Sequence, residues 1–90
     1  MPLYDAGMKI DTLAQLVNWA AAQAADIVQG LPPAQAGKAI EDIAGVIWRH
    51  AFGQGLRPGD DWGWILAQYD SQRLREIVAA SAEPPSRRGR

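Results

Sequence analysis

The sequence predicts an all-α fold, a compact single-domain bundle of three to four helices. Three observations carry that prediction. Apolar residues recur at three- and four-residue spacing through most of the chain. Proline and glycine clusters cut that pattern into helix-length pieces, and no stretch shows the strict alternation of a half-buried strand. There is no internal repeat at solenoid spacing and no sustained heptad. The expected helices cover about 12–29, 33–52, 61–69 and 71–82. Residues 1–82 form the domain, with an N-terminal arm over 1–10, and 83–90 form a flexible basic tail.

The first helix is the best marked. Asp11 or Thr12 can cap it, and Thr12 with Gln15 fits a capping box. Gly30 suits the left-handed position after its end, and Pro32 and Pro33 prevent continuation. At about 100° per residue, Leu13, Leu16, Val17, Ala20, Ala24, Ile27 and Val28 share one core-facing stripe. The alanines between them allow close approach of a neighbour. Trp19 falls off the stripe, beside Gln15, Gln23 and Asp26.

The second helix opens on Pro33, which is tolerated in a first turn. Its stripe is Ala36, Ile40, Ile43, Ala44, Ile47 and Ala51, with Trp48 on one edge and Lys38, Asp42 and Arg49 on the solvated side. The segment FGQGLRPGD then reads as a loop. Beyond it, Trp62, Ile65, Leu66 and Tyr69 form one stripe, and Leu74, Ile77, Val78 and Ser81 form another that is one residue out of phase. The slip falls at Asp70 and Ser71, both good helix caps, so a break is expected there. Asp60 is expected to cap the third helix and Asp61 to favour its positive end.

Composition excludes several function classes. The chain has 90 residues, 48% of them hydrophobic, and a formal charge of −1. Its charge is uneven: the first 82 residues carry −3 and the tail, with Arg87, Arg88 and Arg90 against Glu83, carries +2. A mildly acidic body lacks the clustered positive charge of a nucleic-acid footprint. Without cysteine there is no disulfide framework, thiolate zinc site or thiol nucleophile. No run of apolar residues is long enough to span a membrane and no signal peptide opens the chain, so a cytoplasmic setting is expected.

Motifs for chemistry are weak. GQGLRPG has the glycine density of a phosphate loop, but its spacing is wrong, it follows a helix and it lacks GK[ST]. Asp60, Asp61 and Asp70 do not match a calcium-loop ladder, and no metal or cofactor is expected. His50 is the only histidine and the sole residual candidate for acid–base catalysis, so the chain is read as a non-enzyme with no catalytic residues.

The short stretch GDDWGWILAQYD carries the strongest lead. In a helix, Trp62 and Trp64 point about 200° apart and cannot enter one core. The phase of Ile65, Leu66 and Tyr69 selects Trp62 for the interior. Trp64 is left on the far side with Gln68, to be covered by the N-terminal arm, by a second copy or by another protein.

These residues predict a protein-binding module acting as an inhibitor, adaptor or assembly factor, of the size and composition of phage or plasmid accessory proteins. Its apolar contact surface comprises Trp64, Trp19, Phe52 and Gln68, the partner is another protein, and a homodimer is compatible with it. The alternative is a helix-turn-helix regulator placing Gln72, Arg73 and Arg75 in the first turn of a recognition helix. Against it stand the acidic body, the short preceding helix and a turn without glycine.

Overall fold

The computed structural model describes residues 8–81, and within them the protein is all-α. The first seven residues of the expected arm, including Leu3 and Tyr4, and residues 82–90, including the basic tail, lie outside the described residues.

Local chemistry starts the first helix where the sequence indicates. Thr12 is extended, its hydroxyl accepts from the Gln15 amide at 3.2 Å, and the Gln15 side chain accepts in return from the Thr12 amide at 3.3 Å. Such a box satisfies amides that have no partner inside the helix. Helix α1 runs Leu13–Gln23 and buries Leu16 and Ala20. Leu13, at its first position, stays 46% exposed, contrary to its expected place in the core; Ile10 of the arm is buried instead, at 3%.

The expected helix over 12–29 is interrupted. Ala24, with φ −99° and ψ 7°, leaves helical geometry for one residue, and the chain resumes as α2, Ala25–Val28. The Ala24 amide still donates to Ala20, and its carbonyl accepts from Ile27 and Val28. The bend serves packing: α1 lies along the next long helix, whereas α2 reaches the last one. One apolar stripe thereby covers two neighbours.

Gly30 does not take the left-handed conformation expected of it. Pro32 drives the residue before it away from helical geometry, so the prolines end the helix without glycine's help. Helix α3 then runs Pro33–Gly53 with Pro33 at its start. Ala39, Ile43, Ala44, Ile47 and Ala51 are buried, while Ala36 and Ile40 pack partly against them. Its exit is a Schellman motif: Gly55, at φ 90°, donates to Phe52, and Leu56 donates to Ala51 at 2.9 Å.

The next turn is closed by Asp60, whose carboxylate accepts from the Arg57 amide at 2.7 Å across Pro58 and Gly59. This corrects the expectation that Asp60 caps the third helix. The N-cap is Trp62, without a side-chain cap, and Asp61 just before it accepts from the Gly63 amide at 2.9 Å. The third helix is also shorter than the expected 61–69: α4 is the single turn Gly63–Leu66. The chain before it is tied to the arm. Trp62 donates to the Met8 carbonyl at 2.9 Å, Gly59 to Ile10 at 2.7 Å, and Lys9 faces Asp61 in an antiparallel bridge.

The break after Tyr69 falls where the phase slip places it. Asp70 accepts from the Arg73 amide at 3.0 Å, and α5 runs Ser71–Ser81 along α3. At its far end the Ser81 hydroxyl, followed by the Lys38 ammonium 3.0 Å away, holds the Asp42 carboxyl below the usual carboxylate range. Among the described residues no helix is long and apolar enough to cross a membrane.

Candidate functional site

Phase separates the two tryptophans as expected. Trp62 is fully buried and Trp64 is 43% exposed. The Trp62 indole fills the space under the Schellman exit, 5.3 Å from the Trp48 ring and 6.4 Å from that of Phe52, and its Nε1 donates to the Arg57 carbonyl at 3.1 Å. Gly63, Ile65 and Leu66 are buried around it. Trp64 is thus the one residue of α4 that faces water.

Beside this turn lies a half-open groove of about 540 Å³. Trp19 and Gln23 of α1 line one wall; Gly63, Leu66 and Ala67 line the other, with Met8 of the arm and Leu74 of α5 also contributing. Trp19 is therefore placed off its helix's core stripe for a visible reason: it is half-buried against the core and turns toward the groove. Small residues at 63 and 67 leave the opposite wall low. That pairing of a bulky wall with a low one is a signal in the sequence, but only tertiary structure brings the two together.

The expected contact residues are only partly gathered. Trp64 stands next to Gly63 of the groove, and Gln68 is exposed one residue past Ala67. Phe52 belongs elsewhere. It is half-buried, 5.1 Å from the Trp48 ring, and the Arg57 guanidinium covers its face at 5.1 Å from the ring centre. Met8, Leu66 and Ala67 are groove residues that sequence reasoning did not single out as contacts.

Charges of both signs stand near the groove. Asp70 lines it, and exposed Lys9, Arg73 and Arg75 adjoin lining residues in the chain. The surface therefore combines apolar area with a few charged and polar groups.

His50 has a structural partner. Its Nδ1 lies 2.7 Å from the Tyr69 hydroxyl, with the rings edge to face at 5.9 Å. Burial raises the Tyr69 hydroxyl's pKa above its ordinary value, an effect the nearby Arg73 guanidinium opposes. The His50–Tyr69 contact ties the end of α3 to the segment just before α5. No cluster of metal-ligating side chains occurs among the described residues.

In α5, Gln72 reaches Glu76 at 3.4 Å, Arg73 lies over the Tyr69 ring at 4.8 Å from its centre, and Arg75 is exposed. The preceding helix of any helix-turn-helix pair would be the single turn of α4. Comparison with protein-family models, curated proteins and solved structures finds no match.

Proposed function

We propose that this chain is a non-enzymatic protein-binding module that occludes or scaffolds another protein through the surface formed by Trp64, Gln68 and the Trp19 groove. One observation carries the reading: a tryptophan 43% exposed on a helical turn whose other residues are buried. Holding Trp64 on a rigid, core-anchored turn means little side-chain or backbone freedom remains to be lost on association. A large aromatic presented in this way is the kind of residue that dominates interface energetics. The groove alongside supplies concave apolar area for the partner's own anchors. A cytoplasmic setting belongs to the same proposal.

The test is affinity capture from the source cell with wild type and Trp64→Glu, run beside a mass measurement in solution. The captured partner is expected to be lost with the variant, corresponding to a weakening of about 30-fold or more for a central hot spot. Binding should change little between low and high salt if the contact is made mainly by apolar area around Trp64. Retention of the partner by Trp64→Glu, together with its loss on Arg73→Ala plus Arg75→Ala, would refute the proposal and turn attention to the basic residues of α5. A dimer that becomes a monomer, with no other partner, would make the surface one of self-association.

A further inference from the structure

We draw no further inference here: the strongest candidate, the half-open groove between Trp19 of α1 and the Gly63–Ala67 wall, belongs to the site already described, and nothing in the structure shows what covers it.

Discussion

Replacing each tryptophan of the WGW triplet by phenylalanine should separate their two roles. Trp62 is fully enclosed, touches the Trp48 and Phe52 rings and donates to the Arg57 carbonyl. Trp62→Phe deletes the pyrrole half of the indole and its N–H. The lost hydrogen bond costs about 1 kcal/mol and the residual cavity about 1–2 kcal/mol more, for a total of about 2–3 kcal/mol. Trp64→Phe changes a side chain that is nearly half in water, for which about 0.5 kcal/mol or less is expected. A domain of this size has about 4 to 12 kcal/mol in all, so Trp62→Phe remains folded where Trp62→Ala need not. Urea titration followed by far-ultraviolet circular dichroism reads the difference directly. With a slope near 1 kcal/mol/M, typical of the smallest domains, the Trp62→Phe midpoint should fall by about 2–3 M while that of Trp64→Phe moves by about 0.5 M or less. Equal shifts, or a larger one for Trp64→Phe, would refute the helical-phase reasoning on which the whole site depends.

Other consequences can be measured on the same protein. Iodide quenching of tryptophan fluorescence should drop more on Trp64→Phe than on Trp62→Phe, since only the former removes an exposed indole. Thr12→Ala removes the capping box and should cost about 1 kcal/mol in urea unfolding, with Thr12→Ser close to wild type. Asp42→Asn should lower the urea midpoint slightly at pH 7. Because the folded carboxyl ionises below its unfolded value, that stabilisation is present above the ordinary carboxylate range and lost as pH falls through the folded pKa, so the two midpoints should converge as the solution is acidified below it. Tyr69→Phe removes the contact to His50 and should cost about 1 kcal/mol at pH 7. Since the Tyr69 pKa is raised in the fold, wild type should lose stability as pH climbs above 10, the ordinary value, and Tyr69→Phe should lose less.

Features set by neighbouring residues were the ones the sequence disclosed. The Thr12–Gln15 box, Pro33 at the head of α3 and the Asp70 cap at the phase slip each depend on a few consecutive positions. The stripe of Trp62, Ile65, Leu66 and Tyr69 was legible too, although α4 is only one turn, because the turns that follow it continue a nearly helical course. What stayed hidden depends on distant chain. Nothing in AAAQAADIV marks Ala24 as a break, since alanine favours helix and the bend follows from two different packing partners. Asp60 closes the turn before α4 and does not cap the helix, because the arm pairs with the residues around it. For the site, the outward Trp64 followed from phase alone, whereas the groove required residues of α1 and α4, far apart in the chain, to face one space.

That pairing of Met8 and Ile10 with the chain just before α4 also bears on how fast the protein folds and unfolds. It closes a loop of roughly fifty residues, a non-local contact whose closure entropy disfavours forming it early. The arm should therefore be a late passenger in folding, absent from the transition state. Weakening it by Ile10→Ala would leave the refolding rate nearly unchanged and accelerate unfolding, visible in a chevron plot as a shift of the unfolding limb alone. On that account, the arm that seats Trp62 from outside acts as the molecule's kinetic latch.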